Sequence, residues 1–342
     1  MTKAGAADPR GAPRAIIVGA GLMGRYHARA AASAGASIAA IVDRDTTAAA
    51  KLAGASGSSR TFTDLAQALE TTTADVVHIC TPAATHVALA ELAADAGLHA
   101  LIEKPLAPTA VDTRRVVEKF ASAGRIACPT HQYAFQRSVR SAVESLPRLG
   151  AIRHVSFDIC SAGADRSGMD LDELVAEILP HPLAMVQKLL PSANLAALDW
   201  TCLRTTPGEW QIVVPIDQVA LTVSMSMSGR PTRFRTTVTA DRGTVELDNF
   251  HDFAVLLSGS VSRAQKIAAP FVRDGLGLLA AGRNLVSRAI RSELAYPGLT
   301  TLVGAFYDAV RDPRANPPPV TAEQVIAVAE ARDRIIELAR HG

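Results

Sequence analysis

Cysteine is scarce in this chain, and the few cysteines follow no metal-binding pattern. The 342 residues include Cys80, Cys128, Cys160 and Cys202, with no CxxC pair and no Cys/His cluster. This spacing argues against a structural zinc site, and we expect no metal. Four scattered thiols in a chain of this length are typical of a reducing compartment, so we predict a cytoplasmic protein.

Long apolar runs and an excess of one charge are also missing. No stretch of about 18 apolar residues is present, so we expect no membrane span. The net charge of +2 is too small to indicate nucleic acid as a partner. Residues 1–14 lack the apolar core of a signal peptide and are predicted to be a disordered leader.

A glycine-rich turn is the first motif present. The apolar run at 15–18 leads into GAGLMG at 19–24, and a helix-favouring run follows. In such a turn the first glycine permits a tight bend, the second lets a pyrophosphate approach the backbone, and the third allows close helix–strand packing. The helix N-terminus supplies N–H groups to phosphates. The predicted cofactor contacts of this turn are Gly19, Gly21, Leu22, Met23 and Gly24.

An acidic residue follows the second predicted strand. Asp43 lies 19 residues after Gly24, close to the spacing of about 20 residues for an acid that binds the adenosine ribose. A carboxylate accepts hydrogen bonds from ribose hydroxyls and repels a 2′-phosphate, which favours NAD over NADP. Arg44 leaves NADP open, because an arginine here can stack on adenine or pair with a phosphate. The other alternative is that Asp43 only caps the helix predicted over 46–52.

Two further predicted strands end in polar residues. Alternating strands and helices predict a doubly wound parallel sheet, whose ligands bind at the carboxyl ends of the strands. CTP at 80–82 and EKP at 103–105 occupy such ends. An ammonium at Lys104 can stabilise a developing alkoxide. The alternative, a surface lysine paired with Glu103, is weaker, because neighbouring residues on a strand point to opposite faces.

Together these motifs resemble the Gfo/Idh/MocA family of nicotinamide-dependent oxidoreductases. The resemblance includes the glycine turn, DRD at 43–45 and the run CTPAATHVALAELAADAGLHALIEKPL at 80–106, and it is strongest over 15–135. It implies that Lys104 faces nicotinamide and substrate, that Glu103 contacts the nicotinamide ribose, and that the bond between Lys104 and Pro105 is cis in many members. The further cofactor contacts that it implies are Cys80, Thr81, Pro82 and His86.

The pattern changes after about residue 130. Strand candidates follow one another without intervening helices, at 151–160, 195–204, 218–228, 232–240 and 243–259. They predict an α+β domain with a large open, mainly antiparallel sheet. We therefore predict a Rossmann domain at 15–130 and a substrate-binding and oligomerisation domain at 131–342, whose C-terminal helix can pack back on the first. The resemblance implies a homodimer or homotetramer formed through the sheet.

A histidine in the second domain completes the predicted site. Family members carry an Asp-x-x-x-His motif whose histidine is the acid/base, and this chain has Glu177 and His181 at that spacing. Residues four apart share a helix face, so the carboxylate can orient the imidazole. Pro180 and Pro182 flank the histidine. The alternative is that His181 is only a satisfied histidine at a helix end.

Two other segments have clear helical patterns. Residues 258–296 combine basic side chains with apolar runs; such a stretch can bind a membrane surface or a phosphate, but we favour a solvated helix face or an oligomer contact. Near the C-terminus, Thr321 and Gln324 have the spacing of a capping box before an amphipathic helix.

The predicted activity is that of an NAD-dependent dehydrogenase or ketoreductase. The expected substrate is a secondary alcohol of a sugar, nucleotide-sugar, aminosugar or cyclitol. Lys104 stabilises the alkoxide, His181 accepts the hydroxyl proton, and Glu177 stabilises the protonated ring. Two alternatives remain: an NADP-dependent reductase of an imine, enone or dihydrodiol-type substrate, and a non-catalytic nucleotide sensor.

Overall fold

The computed structural model describes residues 11–58, 60–162, 165, 168, 170–259, 263–291, 293 and 295–341, apart from the side chains of 263–266. The chain divides into two compact units. The first comprises Met1–Thr130 and Leu299–Ile326, and the second comprises His131–Gly298 and Ala327–Gly342. Residues 1–10 of the predicted leader lie outside the described residues.

Strands and helices alternate in the first unit and are segregated in the second. The strands are β1 (Arg14–Val18), β2 (Ser37–Val42), β3 (Thr61–Phe62), β4 (Val76–Ile79), β5 (His99–Ile102), β6 (Ala127–Pro129), β7 (Ile152–Cys160), β8 (Thr201–Thr206), β9 (Glu209–Ile216), β10 (Val219–Ser226), β11 (Arg233–Ala240), β12 (Gly243–Asp248) and β13 (Phe253–Ser258). The helices are α1 (Leu22–Ser33), α2 (Thr46–Ser56), α3 (Leu65–Thr71), α4 (His86–Asp95), α5 (Ala110–Ser122), α6 (Arg137–Leu149), α7 (Leu171–Ile178), α8 (Pro180–Leu189), α9 (Arg263–Ile290), α10 (Leu299–Arg311) and α11 (Ala322–His341).

The sheet of the first unit is parallel and doubly wound, as predicted. Its strand order is β3-β2-β1-β4-β5-β6, and its pairings are parallel. The direction of winding reverses between β1 and β4, so their carboxyl ends border the crevice in which such sheets bind ligands. The apolar runs of both strands are fully buried, because helices cover the two faces of a parallel sheet. Helix α10, from the second sequence segment of this unit, packs against α1.

Local sequence signals account for two helix ends. Gly97 follows α4 in the left-handed region, with φ +70°, the conformation that glycine adopts after a helix. At the start of α11, the Gln324 backbone N–H donates to Thr321 Oγ1 (3.3 Å), and the Thr321 N–H donates to Gln324 Oε1 (3.1 Å). The predicted capping box is therefore present.

The sheet of the second unit is mainly antiparallel, as predicted. Its order is β13-β12-β11-β7-β10-β9-β8. The central strand β7 pairs parallel with β10 and antiparallel with β11, while the other pairings are antiparallel. Side chains alternate between buried and more exposed positions along β9 and β11, so one face belongs to the core beneath helices such as α6 and α8.

Two strand predictions in this unit were wrong in detail, and one strand was missed. The segment at 195–204 begins as a 3-10 turn (Leu195–Ala197). Trp200 Nε1 donates to the Leu195 carbonyl (3.1 Å), and this local hydrogen bond holds the start of the segment in a turn instead of a strand. The segment at 243–259 is two strands, β12 and β13. Strand β9 was missed; Pro215 argues against a strand by sequence, yet it lies beside the tight turn at Asp217 (φ +53°) that joins β9 to β10.

Candidate functional site

Three loops meet at the carboxyl ends of the parallel strands. The hydrogen bonding between neighbouring strands continues just past the strand ends. Gly19 N donates to Val42 O (2.8 Å), Cys80 N to Val18 O (2.7 Å) and Glu103 N to Ile79 O (2.9 Å). These bonds hold the glycine turn, residues 80–82 and residues 103–105 side by side. The first unit thus assembles the predicted motifs that belong to it at one edge of its sheet.

The glycine turn has the shape needed to hold a diphosphate. A Cβ on Gly19 (φ +98°) would lie 2.5 Å from the Cys80 carbonyl oxygen, and one on Gly24 would lie 1.8 Å from the Gly19 carbonyl oxygen. A Cβ on Gly21 would meet nothing within 4 Å. Gly21 is also the N-cap of α1, and no side chain caps it. The N–H groups of the first turn therefore border open space, which fits a pyrophosphate.

Gly24→Ala is expected to disrupt this turn, because the new methyl group overlaps a backbone oxygen that cannot move without shifting Gly19. We expect the free energy of unfolding to fall by about 3 kcal/mol, and NAD affinity to fall at least tenfold. Urea unfolding and NAD titration measure the two effects. Gly54→Ala in α2 is the matched control, since its Cβ meets nothing within 4 Å; it should leave both quantities unchanged or slightly raise stability. Equal behaviour of the two variants would contradict the packing argument.

Asp43 is anchored to the glycine turn and does not cap α2. Its Oδ2 accepts a hydrogen bond from Ala20 N (2.6 Å), and its Oδ1 accepts one from Asp45 N (2.8 Å). The cap of α2 is Asp45, which accepts from Thr47 N (2.9 Å) and from the next N–H. The capping alternative for Asp43 is therefore wrong. Each carboxylate oxygen retains acceptor capacity for a ribose hydroxyl, and the neighbouring Arg44 is exposed.

His86 links the loop at 80–82 to the loop at 103–105 through its two ring nitrogens. Its Nδ1 lies 2.9 Å from the Pro105 carbonyl oxygen, and its Nε2 lies 2.8 Å from the Thr81 carbonyl oxygen. The side chain is fully buried. The peptide bond between Lys104 and Pro105 is cis. His86 therefore fixes the spacing of the loops at 80–82 and 103–105, while Lys104 is half-buried at the edge of the site.

A buried chain of hydrogen bonds leads to Glu103. The Tyr307 hydroxyl lies 2.8 Å from His78 Nε2, the two Nδ1 atoms of His78 and His27 are 3.0 Å apart, and His27 Nε2 lies 3.0 Å from Glu103 Oε1. With neutral rings and an ionised carboxylate, one arrangement of hydrogens satisfies every contact. The tyrosine donates to His78, His78 donates to His27, and His27 donates to Glu103.

The electrostatics of this chain support that arrangement. Burial, and next the neighbouring His27, lowers the pKa of His78 well below its usual value, so His78 is neutral. Burial by itself raises the pKa of Glu103, but the hydrogen bond from His27, the charge of Lys104 and the hydrogen bond from the Lys104 backbone N–H outweigh it, and the net pKa lies below the ordinary 4.5. Burial raises the pKa of Tyr307 and keeps it a donor. Glu103 is therefore ionised directly before Lys104.

Sequence analysis did not single out His27, His78 or Tyr307. A signal was present for His78, which interrupts the apolar run of β4, since a polar side chain in a buried strand needs a hydrogen-bond partner. His27 lies one turn along α1 from Gly24 and is likewise fully buried. The sequence does not indicate which residues pair with them, because Tyr307 is 229 residues from His78.

His181 lies at the start of α8 in the second unit. Its ring is buried and packs edge-on against Tyr133, with centroids 4.7 Å apart. Because Pro180 has no N–H to donate to the Ala176 carbonyl, Arg332 Nε donates there instead (2.8 Å). The segment therefore divides into α7 and α8 at Leu179, although Leu179 keeps helical dihedral angles.

Glu177 lies in the last turn of α7. Its charge acts on Arg332, whose pKa is lowered by burial and partly restored by Asp333 and Glu177. The pairing of Glu177 with His181 stays a prediction. Among the residues that the structure describes, no group of three or more His, Cys, Asp or Glu side chains could hold a metal ion. Within the same residues, every helix is too short or too polar to cross a membrane.

The comparisons with known proteins agree with this geometry. Residues 14–131 match the GFO_IDH_MocA family, described as an oxidoreductase family with an NAD-binding Rossmann fold. Inositol 2-dehydrogenase 4 of Saccharopolyspora erythraea is 38% identical over 114 residues, covering 33% of this chain and 34% of that protein. D-apiose dehydrogenase of Paraburkholderia graminis is 33% identical over 140 residues, covering 41% and 37%. The chain thus matches little more than a third of the length of these relatives.

A solved structure shares the fold of most of the chain. A levoglucosan dehydrogenase, solved in complex with NADH and levoglucosan, aligns with a TM-score of 0.74 and 16% identity, covering 96% of this chain and 97% of that one. At this identity the likeness establishes the fold alone. It extends the similarity beyond residues 14–131 to the second unit.

Proposed function

We propose that this chain, in which residues 14–131 form an NAD-binding Rossmann domain of the Gfo/Idh/MocA oxidoreductase family, is an NAD-dependent dehydrogenase of a sugar or cyclitol alcohol. The observation that carries the proposal is the placement of Lys104 at a strand end, next to the ionised Glu103 and beside a glycine turn that can receive a diphosphate. The relatives named for inositol and apiose support the substrate class.

The residues that hold the cofactor follow from the first unit. The N–H groups of the first turn of α1, next to Gly21, bind the pyrophosphate, and Asp43 accepts hydrogen bonds from the adenosine ribose. The negative charge of Asp43 disfavours a 2′-phosphate, so the cofactor is NAD in preference to NADP. Bound NAD supplies the acceptor for the hydride that leaves the carbinol carbon.

The chain's own side chains handle the proton and the developing charge. Lys104 presents an ammonium that stabilises the negative charge on the substrate oxygen. The lowered pKa of Glu103 makes it a weak base near neutral pH. Its Oε2 accepts a hydrogen bond from the Lys104 backbone N–H (3.3 Å) and so holds that backbone in place. His181 accepts the proton of the hydroxyl, and Glu177 stabilises the protonated imidazole. In the reducing direction the same residues act in reverse.

The test is a substrate survey with the wild-type chain. NADH formation is followed at 340 nm, with roughly equal concentrations of cyclitols, free sugars, aminosugars and nucleotide-sugars, each with NAD and with NADP. We expect turnover with at least one polyol and a preference for NAD of at least about tenfold, which is the effect of one unfavourable charge contact. Turnover with NADP alone would favour the reductase alternative through Arg44. Tight NAD binding without turnover in either direction would favour a nucleotide sensor.

A further inference from the structure

Helix α9 packs on its own sheet with its polar side. Arg273 Nη2 pairs with Glu246 Oε2 of β12 (2.8 Å). Asn284 Nδ2 and Arg288 Nη1 both donate to the His251 carbonyl, the latter at 3.1 Å, and Arg288 is buried. An amphipathic surface helix normally turns its apolar side to the core. In α9 the polar side faces the sheet instead.

The opposite side of α9, called here the outer face, is apolar and exposed. Its large side chains range from 41% to 81% exposed: Ile267, Phe271, Val272, Leu276, Leu278, Leu279, Leu285, Val286 and Ile290. They expose apolar surface on the order of 1,000 Å², above the roughly 300–600 Å² of the largest patch on a typical monomer. The area is close to the roughly 800 Å² that each partner contributes to a stable protein–protein interface.

The outer face carries a seven-residue repeat. Three rows have members seven positions apart: Phe271, Leu278 and Leu285; Val272, Leu279 and Val286; and Gly275, Gly282 and Ala289. At about 100° per residue, the row of small residues lies between the two rows of large ones. A Cβ on Gly275 or Gly282 would meet nothing within 4 Å. The face is therefore a shallow groove between two apolar ridges.

This pattern favours another helix as the occupant. A seven-residue apolar repeat keeps one seam facing a partner helix along its length, and small residues in the seam allow close approach. A lipid surface requires apolar area and basic flanks but no such repeat, and the Arg273 and Arg288 side chains are directed inward to Glu246 and His251. A surface with both a ridge and a groove can also fit a copy of itself about a two-fold axis.

We propose that the outer face of α9 binds the same face of a second copy of this chain, helix against helix, and so forms a dimer. The area of the face and its seven-residue repeat carry the proposal. This contact is separate from the one through the open sheet that the family resemblance implies, and it does not depend on the proposed activity. If both contacts form, the assembly is a tetramer.

The full chain tests the proposal by light scattering after size-exclusion chromatography. Leu278→Asp and Leu285→Asp place a charge on one of the two apolar ridges, and each should halve the wild-type mass at micromolar concentration, with an unchanged circular dichroism spectrum. Val111→Asp is the matched control, because Val111 is 78% exposed on α5, outside α9; it should keep the wild-type mass. A monomeric wild type, or a variant that keeps the full mass, overturns the proposal.

Oxidative cross-linking tests the same contact without perturbing it by charge. Single cysteines at Gly275, Leu278 and Gly282 span the middle of the outer face, where a two-fold axis gives the greatest overlap. We expect at least one of them to form a covalent dimer, while Val111→Cys and the wild type, with its native thiols, do not. Absence of a cross-link at all three positions overturns the proposal. So does flotation of a monomeric wild type with phosphatidylcholine/phosphatidylserine vesicles, which would assign the face to a membrane surface.

Discussion

Lys104→Ala is expected to lower kcat about 10²–10³-fold while leaving NAD affinity within about twofold of the wild type. The loss has the size seen when one group that stabilises a developing oxyanion is removed. NAD affinity is maintained because the glycine turn and Asp43, which carry most of the proposed cofactor contacts, do not depend on the Lys104 side chain. Steady-state kinetics with the polyol identified in the survey, together with NAD titration, separate the two quantities.

The control for this variant is a lysine elsewhere in the same unit. Lys51 lies on α2 and is exposed, so Lys51→Ala removes an equal charge and should leave kcat and NAD affinity unchanged. If Lys104→Ala instead keeps its kcat, Lys104 does not stabilise the alkoxide. If it loses NAD affinity as strongly as kcat, its role is in binding the cofactor and not in the chemical step.

His27→Phe is expected to lower the free energy of unfolding by about 3–5 kcal/mol at neutral pH. The substitution leaves the buried Glu103 carboxylate without its ring donor, and a buried charged acceptor that loses its hydrogen bond costs about 3 kcal/mol or more. It also leaves the Nδ1–H of His78 facing an apolar ring. Urea unfolding at pH 7 measures the loss. His154→Phe is the control: this ring contacts the neutral Thr222 hydroxyl (3.1 Å), and a loss of about 1 kcal/mol is expected.

The pH dependence of the His27→Phe deficit follows from the sign of the Glu103 shift. In the wild type the pKa of Glu103 lies below its ordinary 4.5. Its contribution to stability is therefore complete above that value and is lost as the pH falls through the lower pKa of the folded state. In the variant, burial raises the pKa again, so protonation relieves the buried charge. The difference between wild type and variant should shrink below about pH 5, and a constant difference down to pH 4 would contradict the role assigned to Glu103.

Local sequence signals predicted the first unit well, because their physical causes lie within a few residues. The turn at Gly19–Gly24, the glycine after α4 and the capping box at Thr321 each depend on neighbours in the chain. The strand ends at 80–82 and 103–105 could be placed together by topology alone, since parallel strands end at one edge of the sheet.

Contacts between distant segments were not predictable in the same way. His27, His78, Glu103 and Tyr307 come from four separate segments of the chain, and no local pattern pairs them. The orientation of helix α9 was likewise not predictable from the sequence. Its periodicity predicted a helix and two faces, but periodicity cannot tell which face is turned inward, and the inward face proved to be polar because Glu246 and the His251 carbonyl provide its partners.

The return of residues 299–326 to the first unit has a consequence for folding during synthesis. Residues 1–130 leave the ribosome before the second unit, yet α10 and the Tyr307 hydroxyl that contacts His78 are made only after residues 131–298 of that unit. The nascent nucleotide-binding segment therefore remains with α1 uncovered and its buried hydrogen-bond chain incomplete while the second unit is translated. Because domains generally fold as units in the order of their synthesis, the second unit, which lacks only the end of α11 at that stage, is in a position to fold before the first.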